Sequence, residues 1–375
     1  MIRKLRQAVA NPKRALQICK ERVLRSRSCE SLLDSMLEYY PSARGRKRVF
    51  LVRPKYDYGS VRRGLSFEEN NFLHSLVHSG YEVIAFDPLE GKSRFGKRRM
   101  NELLLEGVFR WNPDVVFFIL FKDEIDTATL RLIRDQMKIT TCNWFCDDHW
   151  RFDSFSQHYA PHFSFVVTTD RAAVTKYYEI GYRNVLLSQW ACNHFLYRYL
   201  DLPYQYDVTF VGQPHGSRMK MVDRLRAAGV EVHTFGYGWP NGRISTREMI
   251  TIFNQTKVNL NLSNASTGRI NQIKARDFEI PGCGGFMITG FNDALNEYYE
   301  ISKEVVCYAQ PDELVELVKY YLENDEEREQ IREAGYQRVI RCHTYAHRFE
   351  EIFSALRESS GQRTGERRNE NSVHG

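Results

Sequence analysis

Short unbroken apolar runs alternate along this chain with longer stretches whose apolar residues recur at helical spacing. An unbroken run bounded by turn residues reads as a strand buried on both faces, and the i, i+3, i+4 pattern reads as a helix packed on it. Residues 49–53 are the first such run. A loop over 56–64 follows. A helix is predicted over 66–79, with Ser66 as N-cap, Glu68 and Glu69 in the first turn, and Phe67, Phe72, Leu73, Leu76 and Val77 on the apolar side. Gly80 closes it, and 81–86 is the next strand. Helices over 103–111 and 125–137 then alternate with strands over 115–120, 140–145, 163–168 and 184–187.

The alternation restarts at Tyr206. Residues 208–212 form a strand that runs into a glycine loop. A helix over 219–228 ends at Gly229, and 230–235, 245–254 and 258–262 read as strand, helix and strand. Helices over 313–323 and 325–335 follow. Repeated strand–helix–strand units with short turns specify parallel, doubly wound sheets. The fold class is therefore α/β, with two Rossmann-like domains over 49–195 and 205–345. Residues 190–203 lack a pattern and act as a linker, 346–357 form a further helix, and 358–375 are expected to be disordered because they hold almost no apolar residues.

Charge changes this picture at one end only. The 375 residues carry a net charge of +6. Residues 1–48 alone hold a surplus of nine positive charges, so the remainder sums to about −3. That balance argues against a nucleic-acid-binding face. The basic segment is either a solvated helix or an amphipathic one in peripheral contact with an acidic membrane surface. The eight cysteines are scattered, with only Cys142 and Cys146 close together and no second ligand pair beside them, so no metal site is expected. No apolar run is long enough to span a membrane. A reducing, cytoplasmic setting is expected.

Residues 274–290 carry the densest chemistry. Lys274 and Arg276 can face an anion, Glu279 can accept from sugar hydroxyls, and Gly284-Gly285 permits close backbone approach. On pattern alone the segment is equally an ordinary helix-to-strand connection. Gly212-Gln213-Pro214-His215-Gly216, after a strand, is a second candidate phosphate loop. In the first domain, Asp147, Asp148 and His149 follow a predicted strand. Each is either a general base or part of a capping loop. Asp57 and Tyr58 lie in the loop after the first strand. Trp144 and Trp150 flank the acid pair, and either stack on sugar rings or pack in the core.

The stretch from Arg276 to Thr289, then Lys303-Glu304-Val305-Val306-Cys307-Tyr308, then Tyr320 to Asn324, Glu327-Arg328, Ala334-Gly335-Tyr336 and His343-Thr344-Tyr345, resembles the CgeB-like glycosyltransferases. These are a branch of the glycosyltransferase-1/4 grouping. The resemblance spans roughly residues 205–355 and extends more loosely to Tyr56-Asp57-Tyr58-Gly59 and Trp144-Phe145-Cys146-Asp147-Asp148. It implies the GT-B fold, two Rossmann-like domains facing a cleft, with the helix over 346–357 crossing back to the first domain. It also implies sugar transfer from a nucleotide-diphosphate donor without a metal or other cofactor, to an acceptor that is a glycan, lipid, protein or small molecule. The donor would be held by Arg276, Lys274, Glu279, Arg269, Gly212, His215, Gly284 and Gly285. The acceptor side would comprise Asp148, Asp147, His149, Asp57, Tyr58 and Trp150, with Asp148 preferred as base. Glu279 matches the family's ribose-binding Glu, but Asn271 stands where the first Glu of the Glu-x7-Glu motif would fall, which leaves the stereochemistry open. A nucleotide-sugar epimerase and a non-catalytic nucleotide- or sugar-binding protein are the rival readings.

Overall fold

The computed structural model describes residues 32–42, 45–263 and 272–372, with side chains as far as 358. The chain divides into two compact units, Met1–Gln189 with Arg348–Gly375, and Trp190–His347.

The sheet of unit 1 has the order β1-β3-β2-β4-β5-β6-β7. Its strands are β1 (Leu37–Tyr40), β2 (Arg48–Val52), β3 (Glu82–Phe86), β4 (Val115–Phe118), β5 (Thr140–Phe145), β6 (Phe165–Thr168) and β7 (Val185–Leu187). All neighbours are parallel except β1, which pairs antiparallel with β3 from Leu37↔Phe86 to Tyr40↔Val83. The central strands are Val- and Phe-rich and fully buried, as strands covered on both faces must be. β1 lies in the segment read from charge as a basic arm. Glu38 anchors it by accepting from the buried Arg53 at 2.7 Å, while Tyr39 stacks on Trp111 at 4.8 Å.

Ser66 caps the first helix, its hydroxyl accepting from Glu69 N at 3.0 Å. The helix expected over 103–111 starts much earlier, at Pro88, and runs to Trp111. Asp87 caps it through Leu89 N and Glu90 N, and Gly96, at φ 76°, kinks it. The sequence between Glu90 and Arg99 is too polar to show a helical period, so only the C-terminal half was legible. The last helix spans Tyr345–Ser372, past the boundary at 357. Phe349 and Phe353 meet Phe72, Phe117 and Tyr81 with ring centroids 5.1–6.3 Å apart, which ties the helix to unit 1. Each buried ring contributes about 1.5–3 kcal/mol of apolar burial.

The sheet of unit 2 is wholly parallel, with the order β12-β11-β10-β8-β9. Its strands are β8 (Tyr206–Val211), β9 (Val232–Phe235), β10 (Thr256–Asn261), β11 (Met287–Gly290) and β12 (Val306–Tyr308). In each sheet the strand order reverses at the first parallel strand, β2 or β8. The crevice beyond the C-terminal ends at such a switch point is where open α/β sheets bind ligands.

Candidate functional site

In unit 2 the switch point lies between β8 and β10. β8 ends in Gly212, and a Cβ there would meet the Phe210 ring at 2.8 Å. The Gly212 carbonyl accepts from Trp239 Nε1 at 2.8 Å, so the loop after β9 braces the loop after β8. That bracing needs a glycine at 236, where φ is 131° and a Cβ would lie 2.4 Å from the Gly212 oxygen.

The helix Arg218–Ala227 starts directly behind this loop. Arg218 is 8% exposed and donates to Leu262 O at 2.8 Å and Gln213 O at 3.1 Å, and contacts His215 Nε2 at 3.1 Å. No carboxylate is among these partners. Burial pushes its pKa down to about 10. A buried guanidinium that meets only neutral acceptors retains most of its positive field. Lys274 and Arg276 add to that field. The pKa of His215 is lowered by partial burial and by Arg218 and Lys274, and Arg276 acts in the same sense on Arg218. Arg218 and His215 are in direct contact at the end of β8, and Lys274 and Arg276 lie near enough for their charges to act on them.

The short helix Arg276–Gly282 is locked in place by Asp277, which sequence reading did not single out. Its fully buried carboxylate accepts from Asn261 Nδ2 and Thr289 Oγ1, both at 2.7 Å, and from Lys274 N at 2.7 Å. It thus ties the ends of β10 and β11 to the backbone of Lys274. Burial raises its pKa to about 6 against these donors. Glu279 is also fully buried and pairs with Arg276, whose side chain is 29% exposed. Its Oε1 has no hydrogen-bond partner, and Tyr197 lies beside it, with its own pKa held up by burial and by that carboxylate.

The donor-side candidates separate on this geometry. Arg276, Lys274 and His215 belong to the basic cluster, and Gly212 shapes its loop. Glu279 holds Arg276 from the interior. Gly284 and Gly285 are both buried, and a Cβ would meet the Tyr199 ring at 2.6 Å at the first and Asn259 Nδ2 at 2.9 Å at the second. Their close backbone approach is to neighbouring side chains of the protein. Arg269 and Asn271 lie outside the described residues, as does most of the basic segment.

In unit 1 the C-terminal ends of β2, β4 and β5 enclose a pocket of about 210 Å³. Asp57, Tyr58, Asp147 and Glu68 line it, with Phe67, Phe121, Phe145 and Phe155 among its walls. Asp57 accepts from Arg63 Nε at 2.9 Å. Tyr58 is held at φ 51°, an uncommon conformation for a non-glycine residue, with its ring edge-on to Phe121 at 5.1 Å and under the Arg63 guanidinium at 4.4 Å. Burial and the charge of Asp57 raise the pKa of Glu68.

The preference for Asp148 is reversed. Asp148 is 1% exposed, accepts from Tyr177 OH at 2.9 Å and does not line the pocket, whereas Asp147 does. Burial raises the Asp148 pKa against the hydroxyls of Ser156, Thr168 and Tyr177. His149 and Trp150 are exposed and lie outside the pocket lining. Trp144 is core, edge-on to Phe72 at 5.0 Å. Among the described residues no cluster of His, Cys, Asp and Glu could hold a metal ion, and no helix is long and apolar enough to cross a membrane.

Residues 218–354, most of unit 2 and the start of the last helix, match the family model for glycosyl transferase-like proteins. No match was found among curated proteins. Among solved structures, a glycosyltransferase from Rickettsia africae superimposes with a TM-score of 0.60 at 11% identity, over 84% of this chain and 99% of that one. Sucrose-phosphate synthase from Thermosynechococcus elongatus gives 0.58 at 10% identity, over 84% and 100%. HepE from Anabaena, solved in complex with UDP and glucose, gives 0.56 at 11% identity, over 83% and 99%. At these identities the likeness is one of fold: two Rossmann-like units of the GT-B glycosyltransferase type.

Proposed function

We infer that the chain is a glycosyltransferase that moves a sugar from a nucleotide-diphosphate donor bound by unit 2 to an acceptor held by unit 1. The observation that carries this reading is the buried Arg218, hydrogen-bonded to neutral acceptors and to His215 at the switch point of unit 2, with the charges of Lys274 and Arg276 acting on the pair. Breaking the bond between the sugar and the diphosphate places negative charge on the leaving oxygen. Fixed cations already aimed at that position stabilise the transition state without reorganising. Arg218, whose Nε and Nη1 are engaged by Leu262, Gln213 and His215, can offer Nη2 to a phosphate, and Arg276 and Lys274 add their charge. Glu279 pairs with Arg276 from the interior, and Asp277 fixes the backbone of the segment that carries Lys274 and Arg276.

The HepE structure holds UDP and glucose, and a nucleoside diphosphate is the ligand class this cluster fits. On the acceptor side, Asp147 takes the hydroxyl proton as the oxygen attacks the sugar carbon, with Asp57 as the alternative base. The motifs between 276 and 345 favour the CgeB-like branch, and hexosyl transfer is the finer reading. Thermal shift with a panel of nucleoside diphosphates tests the donor half, since a ligand bound only by the native state raises Tm. A shift with a diphosphate and none with its nucleoside supports it. No shift with any diphosphate overturns it.

A further inference from the structure

The pocket of unit 1 carries one carboxylate more than sugar transfer needs. Asp57 is matched by Arg63, and Asp147 serves the hydroxyl in the reading above. Glu68 remains, hydrogen-bonded by Ser66 and backbone and under the influence of the Arg53 charge. It lines a space whose walls include the rings of Tyr58, Phe67, Phe121, Phe145 and Phe155 beside aliphatic residues such as Leu89 and Leu120. The one cation of the lining, Arg151, lies over the Phe155 ring at 4.5 Å.

Aromatic faces and a carboxylate without an ion pair of its own among the described residues, around one small space, are complementary to an ammonium group. The ring quadrupoles attract a cation within roughly 6 Å of their centroids, and the carboxylate accepts a charge-assisted hydrogen bond from it. An anionic group would instead meet Asp57, Glu68 and Asp147 in a partly desolvated setting, where like charges repel strongly. The volume, about 210 Å³, suits a single ring and falls below the roughly 300–1,000 Å³ of pockets that take larger ligands. Resting on the glycosyl-transfer reading, we propose that the acceptor is a compact, single-ring hydroxyl compound bearing a protonated amine, and that Glu68 binds the amine. Burial and the neighbouring Asp57 hold the Glu68 pKa above its usual value against the pull of Arg53, and an ammonium beside it would favour the charged carboxylate.

The test compares glucosamine with N-acetylglucosamine and glucose, which keep the ring and remove the charge. Binding to the full chain is followed by ligand-observed NMR titration, for the wild type, Glu68→Gln and Glu68→Asp. The nucleoside diphosphate with the largest thermal shift is titrated into the same samples. Glucosamine is expected to bind about tenfold or more tightly than either uncharged sugar. Glu68→Gln should erase that preference, and Glu68→Asp, which keeps the charge, should retain most of it. All three proteins should bind the diphosphate alike. A wild type with no preference for the amine, including one that binds none of the three sugars, overturns the proposal. So does a preference that survives in Glu68→Gln. Either result with diphosphate binding intact leaves the donor reading standing, whereas loss of diphosphate binding by the wild type removes the donor reading itself.

Discussion

Replacing Arg218 by alanine removes the one deeply buried cation of the unit 2 cluster. In the free protein it also deprives the carbonyls of Leu262 and Gln213 of a donor, at 2.8 and 3.1 Å. Each such loss costs about 1 kcal/mol of stability, so the variant should unfold at a lower denaturant concentration yet remain folded. A charge-assisted contact to phosphate contributes about 1.5–3 kcal/mol. At 1.4 kcal/mol per decade that is a loss of roughly 10- to 150-fold in affinity for a nucleoside diphosphate. The parent nucleoside carries no phosphate and should lose less than about twofold. Isothermal titration of UDP, GDP or ADP, whichever binds the wild type, against its nucleoside reads this difference directly. Arg218→Lys should lie between the two, because it restores the charge without the planar fork. If diphosphate and nucleoside weaken by the same factor, Arg218 acts only by holding the loop. If neither weakens, the cluster is not the diphosphate site.

Arg276→Ala should likewise discriminate against the diphosphate, by about tenfold or more in the same titration. Glu279→Gln should weaken diphosphate binding through the loosened Arg276; a change seen only in the preference for ribose over 2′-deoxyribose would instead make Glu279 a direct sugar ligand. Asp147→Asn should cut turnover by about 10²–10⁴ with donor affinity unchanged, whereas Asp148→Asn should lower Tm and leave turnover within about twofold; the reverse result would restore Asp148 as the base. The raised Asp277 pKa, about 6, means that this group favours the folded state most at low pH and loses that contribution as pH rises from about 4 to about 6. Asp277→Asn also loses its acceptor for Lys274 N, so its stability deficit should shrink by up to about 3 kcal/mol across that window in urea melts; a deficit constant with pH would show the carboxyl to be unshifted.

Both doubly wound units were legible because a buried parallel strand leaves an unbroken apolar run, and residues 49–53, 140–145 and 208–212 each stand out against polar turns. β1 was not legible. It is a single edge strand within a basic stretch, held by Glu38 and Tyr39 through partners distant in sequence. The kinked helix from Pro88 was hidden by its polar first half, although Asp87-Pro88 is a cap-and-start signal that could have found it. In the candidate site, Lys274 and Arg276 were visible because they precede a Pro-Gly break. Arg218 sits among Lys220, Arg224 and Arg226, and nothing local distinguishes it; only its position directly behind a strand–glycine loop marks it. Glu68 looked like a first-turn helix residue, and the fold alone turns it toward the pocket. The acid pair could not be ordered from sequence, since adjacent residues differ in burial only once the strand end and Tyr177 are placed.

Nucleotide release from a panel of nucleotide sugars, followed by mass spectrometry of the sugar, tests the central claim most directly. With glucosamine present or with water as a slow acceptor, the wild type should release a nucleoside diphosphate from at least one donor and place the sugar in a new linkage, and Arg218→Ala should release it at least tenfold more slowly. Donor that stays intact in the presence of bound protein would make the chain a binding protein, and a sugar altered while still attached to its nucleotide would make it an epimerase; either result contradicts glycosyl transfer.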